Sequence, residues 1–281
     1  MLYITDETID RWIKEDVPYI DLTTLTLGIG GVKGIISFTA RESTVLSGVE
    51  EVLKIFNKLG IMQIRASQSG SVVCTGETFI EAVGLASSLH IAWKVSLNIL
   101  EYCSGIATRT KRMVDRAIAV NPHISVLATR KSFPGTKELA IKSIIAGGAF
   151  PHRLGLSETI LIFKQHRAFL GDINNLVQEL RGIKAKACEK KIIVEVETIE
   201  EARLLAESGV DGLQFDKVPP DDLKIFVDQI KHLDPKITLI GAGGINESNI
   251  AEYTATGIDA IATTAMYFGK PSDIGVKMDK F

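Results

Sequence analysis

The second half of the chain repeats one unit. A short apolar strand, a turn and a helix recur about every 20–25 residues, a rhythm that a parallel α/β sheet or barrel accepts and most other folds do not. Six segments read as strands: residues 124–129 (ISVLAT), 159–163 (TILIF), 192–196 (IIVEV), 212–216 (GLQFD), 237–241 (ITLIG) and 258–263 (IDAIAT). Helices fill the gaps. One over 137–146 is stopped by Gly147-Gly148. Another opens with Thr198 and Glu201 spaced as a capping box and stops at Gly209. Pro219-Pro220-Asp221 starts a third, and Asn246 to Gly257 brackets a fourth. Residues 108–121 form a helix leading into the first strand.

Before residue 108 the pattern is mixed. A capped helix is expected over 6–14, strands over GVKGIISFTA and 63–74, and helices over 49–59 and 78–108. The chain therefore reads as an α+β half followed by an α/β half. Its 281 residues suffice for a barrel plus a smaller domain.

Composition excludes several classes. Lys and Arg number 32 against 34 Asp and Glu, a net charge of −2 that argues against a dedicated nucleic-acid binder. Cys74, Cys103 and Cys188 are odd in number and lack CxxC spacing, so buried thiols in a reducing compartment are expected rather than a disulfide or zinc framework. The first residues are charged and resemble no secretory signal, and no apolar run reaches about 18 residues, the length of a membrane span. A cytoplasmic location without membrane partners is the expectation.

Against this neutral background positive charge concentrates between Thr129 and His166, where six Lys or Arg meet only two acids. Functional groups of a parallel barrel gather at the carboxyl ends of its strands, and the polar residues fall there. Arg130 and Lys131 follow one strand, Lys164 another. Glu195 and Glu197 lie late on a third, two apart and so on one side. Asp216 closes the next. Gly243-Gly244 and Thr263-Thr264-Ala265 follow the last two. The glycine and threonine turns can offer backbone N–H groups to a phosphate. Glu195 and Asp216 can hold ribose hydroxyls or a divalent cation such as Mg²⁺. Arg130, Lys131 and Arg153 suit a pyrophosphate or a carboxylate. Plainer readings stand beside these: a Gly-Gly pair serves a tight turn equally well, and Glu195 could sit in a structural ion pair.

TRKSFPGTKELAIKSIIAGGAFPHRLGL resembles the type II phosphoribosyltransferases, the quinolinate phosphoribosyltransferase (nicotinate-nucleotide pyrophosphorylase) family. SLNILEYCSGIATRT, VEVET, GLQFDK, GAGGIN and TGIDAIATTA follow in family order, so the likeness spans nearly the whole chain. It implies an N-terminal α/β sandwich (residues 1–108), an open α/β barrel (109–269) and a C-terminal segment (270–281) packing back on the first domain. It also implies a homodimer with shared active sites, and transfer of phosphoribosyl from phosphoribosyl pyrophosphate, with Mg²⁺, to a ring nitrogen. By position Arg130, His152 and Arg153 would face the acceptor, and Lys131, Glu195 and Asp216 the donor. Glu195, Asp216 and Lys131 would then be the catalytic set, and the two carboxylates the metal contacts. Gly243, Gly244, Thr264 and Ala265 would hold the 5-phosphate, with Lys131 beside them.

Departures from the pattern cluster on the acceptor side. The family's Glu-Arg-Thr is Trp93-Lys94-Val95, leaving Lys94 for an acceptor-binding Arg. Its Ile-Lys-Asp-Asn-His is Ile162-Phe163-Lys164-Gln165-His166, so Phe163 replaces a cation and Lys164 is the neighbouring candidate. Thr264 stands for a Gly and Phe268 for a nearby His. These changes resemble the ModD branch, pyrophosphorylase-like proteins associated with molybdenum transport genes. They imply an acceptor less anionic than quinolinate. Quinolinate itself, or anion binding without catalysis in molybdate handling, are the alternatives.

Overall fold

The computed structural model describes residues 2–281. The chain divides into two compact units. One runs to Lys111 and takes in Phe133–Gly148 and Tyr267–Phe281; the other comprises Arg112–Ser132 and Ala149–Met266. In chain order the first stretch contains α1 (Asp6–Asp16), α2 (Leu22–Leu27), β1 (Lys33–Ala40), β2 (Thr44–Val45), α3 (Val49–Lys58), β3 (Met62–Ala66), β4 (Val72–Val73), β5 (Thr78–Leu85) and α4 (Ala86–Val120). Then follow β6 (Ser125–Ala128), α5 (Lys137–Ala146), β7 (Phe150–Pro151), β8 (Ile160–Ile162), α6 (Lys164–Arg167), α7 (Ile173–Lys186) and β9 (Ile192–Val196). The rest is α8 (Ile199–Glu207), β10 (Gly212–Asp216), α9 (Pro220–Leu233), β11 (Thr238–Ala242), α10 (Ile250–Thr254), β12 (Ala260–Thr263), a 3₁₀ turn (Ala265–Tyr267) and β13 (Ile274–Lys280).

The first unit is an antiparallel sheet, β13-β1-β5-β3, packed against helices. Strand β1 alternates, burying Ile36, Phe38 and Ala40 into a core shared with Val52, Ile55 and Phe56 of α3 and with Leu89, Ala92 and Leu100 of α4. β13 pairs antiparallel with β1 from Ile274 to Lys280. Residues 78–85, expected as the start of the long helix, are instead the inner strand β5. TFIEAVGL is rich in β-branched and aromatic residues and is bonded on both edges, whereas its short apolar run carries no period that separates strand from helix. The helix begins only at Ala86.

The second unit is a seven-stranded parallel sheet in the order β7-β6-β12-β11-β10-β9-β8. β7 and β8 are its two ends, so the barrel is open between them. Two-residue β7 is the strand the sequence rhythm does not reveal. β9 to β12 are almost wholly buried, as parallel strands covered on both faces must be. Leu161, Ile193, Ile240, Ala242, Ala260 and Ala262 form the interior layer. Helix α5, expected as part of the βα series, packs in the first unit, where Lys142 pairs with Glu51 and Ser143 Oγ lies 3.2 Å from Ser47 Oγ. Half of the expected capping box forms at α8: Thr198 Oγ1 accepts from the Glu201 N–H, while Glu201 Oε2 accepts from Glu197 rather than from Thr198. Asn246 and Asn249 tie the preceding turn together, and α10 starts later than expected, at Ile250. Of the three thiols only Cys103 is buried; Cys74 and Cys188 are exposed, contrary to expectation. No helix among the described residues is long and apolar enough to cross a membrane.

Candidate active site

The carboxyl ends of the parallel strands surround a cavity of about 540 Å³. Each strand ends where its backbone stops bonding to neighbours, so the residues just past it are free to face a ligand. Arg130 and Lys131 arrive from β6, His152 and Arg153 from β7, Leu161 and Phe163 from β8. Glu195 comes from β9, Gln214, Asp216 and Lys217 from β10, Gly243, Gly244 and Asn246 from the turn after β11, and Thr263, Thr264 and Ala265 from the end of β12.

The basic wall differs in character from residue to residue. Arg153 is only 8% exposed. Burial, and next the Arg130 guanidinium, hold its own guanidinium below the usual range, with Glu158 opposing. Its Nη1 donates to the Thr159 carbonyl at 3.4 Å, and its cation lies 5.8 Å from the centre of the Phe163 ring. His152 is pushed down to about 4, first by burial and then by Arg153, so its imidazole is neutral at pH 7. The backbone N–H of His152 donates to the Ala128 carbonyl at 2.8 Å, while the ring Nε2 is buried without a protein partner.

Opposite lie the acids. The Glu195 carboxyl is held above the usual carboxylate range, chiefly by burial and next by the neighbouring Asp216 charge. Gln214 Nε2 donates to Glu195 Oε2 at 3.0 Å and partly offsets that rise. Two neighbouring carboxylates suit a hard divalent cation that keeps further ligands of its own. No group of three or more His, Cys, Asp or Glu gathers into a metal cage among the described residues.

The two glycines have different tasks. Gly243 sits at φ +81°, and a Cβ there would lie 2.5 Å from Asp216 Oδ1 and 2.7 Å from the Lys217 nitrogen. It lets the β10 and β11 turns interlock. Gly244, at φ +74°, has no heavy atom within 4 Å of the Cβ position and leaves open space. Thr263 Oγ1 donates to the Ile245 carbonyl at 2.5 Å and accepts from the Ala265 N–H at 3.1 Å, fixing the third turn.

Thus Arg130, Lys131, His152, Arg153, Glu195, Asp216, Gly243, Gly244, Thr264 and Ala265 come together around one cavity. Lys164 does not join them. It is the first residue of α6, exposed, and its Nζ lies 3.1 Å from Glu197 Oε2. Phe163, one step earlier, faces the cavity and is fixed by its N–H donating to His166 Nδ1 at 3.0 Å. Glu197, expected on the same side as Glu195, follows the end of β9 and takes that outward ion pair. Lys94 lies on α4 of the first unit, its ammonium 4.3 Å from the centre of the Trp93 ring. Sequence reasoning missed Gln214 and Lys217. An amide inside the otherwise apolar strand GLQFD was the available signal for the first, since buried polar groups need a reason. Lys217 holds φ +59°, with its N–H donating to the Ala242 carbonyl at 2.8 Å, and nothing local in the sequence marks it.

An open parallel barrel and an antiparallel α/β unit in one chain are also what the comparisons with known proteins return. The quinolinate phosphoribosyl transferase C-terminal domain matches residues 106–277, and the N-terminal domain of the same family matches residues 21–104. The chain is 35% identical over 280 residues to ModD of Pasteurella multocida, a pyrophosphorylase by name, covering 100% of this chain and 99% of that one. It is 31% identical over 258 residues to a Methanothermobacter thermautotrophicus protein named as a nicotinate-nucleotide pyrophosphorylase (carboxylating), covering 91% and 92%. Its fold matches that of NadC from Streptococcus pyogenes with a TM-score of 0.90, at 24% identity and with 100% of each chain covered. Fold and relatives together define a phosphoribosyltransferase. The chain belongs to the quinolinate phosphoribosyl transferase family.

Proposed function

We propose that this protein moves phosphoribosyl from phosphoribosyl pyrophosphate to a ring nitrogen of a heterocycle other than quinolinate. The nitrogen lone pair forms the bond to the anomeric carbon, and the bond from that carbon to the pyrophosphate oxygen breaks, its electrons leaving with pyrophosphate. The observation that carries the reading is the exchange at β8: an aromatic ring, Phe163, lines the cavity while Lys164 is spent outside it on Glu197. A dicarboxylate would lose a charge-assisted hydrogen bond there, worth about 1.5–3 kcal/mol. Phe163, its ring already stacked on His166 with centroids 5.7 Å apart, offers the acceptor an apolar wall in place of a cation.

On the donor side, the open space at Gly244 and the Thr264-Ala265 turn suit the 5-phosphate. Lys131 and Arg130 suit the pyrophosphate. Glu195 and Asp216 would hold Mg²⁺ together with donor oxygens, and that ion would supply charge neutralisation on the leaving pyrophosphate. Glu195, when ionised, also stabilises the positive charge that develops on the sugar in an oxocarbenium-like transition state. Neutral His152 and buried Arg153 favour an acceptor that still carries one anionic or hydrogen-bonding group. Lys94 is offered as a contact supplied by the second chain of a homodimer.

The test is pyrophosphate release by the purified protein with phosphoribosyl pyrophosphate, Mg²⁺ and a panel of heterocyclic acids, amides and bases. A heterocycle turned over far better than quinolinate is expected. Quinolinate as the best substrate would return the protein to the carboxylating reaction, which the Methanothermobacter relative's name favours.

A further inference from the structure

Gln214 is the one polar side chain in the buried middle of β10. It is 5% exposed, lines the cavity, and lies two residues deeper in the strand than Asp216. In the sheet register it sits directly beside Glu195 of β9 on one side and Ile240 of β11 on the other. Its two amide atoms are used unequally. Nε2 donates to Glu195 Oε2 at 3.0 Å. Oε1 is buried and has no protein partner. Since the carboxylate can only accept, the amide cannot flip without losing that bond, and Oε1 is held as the free end. A buried carbonyl oxygen left unmet is costly, and a protein retains one where something arrives to satisfy it. With its amide donor spent on Glu195, the free oxygen can only accept, so it meets an O–H or N–H donor and gives nothing to a carboxylate or phosphate oxygen.

We infer that Gln214 is a positioning and specificity-determining residue of this site, its Nε2 orienting Glu195 and its Oε1 accepting from an uncharged O–H or N–H of a bound substrate. Two sources carry that chemistry: a sugar hydroxyl of the donor, or a ring or exocyclic N–H of the acceptor. The ligand half rests on the transferase reading above; the Glu195 half does not.

Two substitutions separate the halves. Gln214→Met keeps length and loses both functions. Gln214→Glu keeps an acceptor oxygen but loses the donor to Glu195. The position of the Glu195 carboxylate is read from crystal structures of the full-length wild-type and variant proteins, and binding of phosphoribosyl pyrophosphate with Mg²⁺ is measured by calorimetry, alongside the acceptor KM. In both variants the Glu195 carboxylate is expected to leave its wild-type position, having lost the donor that holds Oε2. Gln214→Met is expected to weaken one of the two substrates about tenfold, the scale of one buried hydrogen bond, and Gln214→Glu to weaken it less. Loss confined to calorimetric donor affinity assigns the sugar hydroxyl; loss confined to the acceptor KM assigns the acceptor N–H. Folded variants with an unmoved Glu195 carboxylate and unchanged affinities would overturn the inference. Wild-type protein that binds no phosphoribosyl pyrophosphate would sink the transferase reading and the ligand half with it, leaving the position of the Glu195 carboxylate to decide the Glu195 half alone.

Discussion

Glu195 is useful only when charged, yet its surroundings resist the charge. Burial and the Asp216 carboxylate both favour its protonated form, so the acid limb of the pH–rate profile is expected above the ordinary carboxylate range. Asp216→Asn removes the like charge and should move Glu195 ionisation to lower pH, observable in the Glu195 titration even where turnover falls. Stability responds in the opposite sense. Because the folded protein holds the Glu195 proton more tightly than the unfolded chain, this residue costs stability as pH rises from the unfolded value through the raised folded one. Glu195→Gln should therefore flatten that part of a denaturation-midpoint profile. Glu195→Ala should lower turnover about a hundredfold or more while changing the acceptor KM little, the pattern of a group acting mainly in the transition state. Wild-type turnover in that variant would remove Glu195 from the chemistry.

At the scale of elements, the turn after β11 separates two reasons for glycine. Gly243→Ala places a Cβ against Asp216 and Lys217 in a left-handed conformation and should cost about 2–4 kcal/mol in urea unfolding, through clash and backbone strain together. Gly244→Ala meets open space, so its cost should be limited to left-handed strain of about 1–2 kcal/mol. Its larger effect should fall on donor affinity, measured by calorimetry. Equal destabilisation by the two would erase the distinction. The sequence had already brought these glycines to a strand end, because apolar runs of strand length separated by capped helices define the βα series without tertiary information. It could not tell which glycine faces a neighbour. The same limit explains the other misses. TFIEAVGL is a strand because β1 and β3 bond to its edges, which no local pattern records. Lys164 reads from the sequence as a stand-in for the missing cation beside Phe163, but that it turns to Glu197 instead depends on where β8 and β9 end. Gln214 was legible as an anomaly in GLQFD, while its unmet oxygen required the cavity.

For the molecule as a whole, the segment Phe133–Gly148 leaves the barrel between β6 and β7 and joins the first unit, and one buried charge pair marks its place there. Glu51 of α3 is 2% exposed, Lys142 of α5 has a side chain only 13% exposed, and the two form an ion pair, with Glu50 Oε2 at 3.6 Å from the same ammonium. Glu51 Oε2 has no other partner. Such a pair gains little over a well-packed apolar contact, because both ions give up hydration; breaking it from one side is what costs. Lys142→Met should thus destabilise the first unit by about 3–5 kcal/mol in urea unfolding, since Glu51 stays buried without its cation. The double variant Glu51→Leu with Lys142→Met should recover most of that loss, because no ion remains to be solvated. Cys103 supplies an independent reading of the same core. Its thiol is pushed up to about 12 by burial, with contact to Ser143 of α5 opposing, so it should resist thiol reagents at pH 8 while exposed Cys74 and Cys188 react. In Lys142→Met the Cys103 thiol should become reactive at lower urea than in wild type, and the double variant should restore its protection. A double variant as unstable as the single one would mean that α5 is held by the charge pair itself rather than by the packing around it.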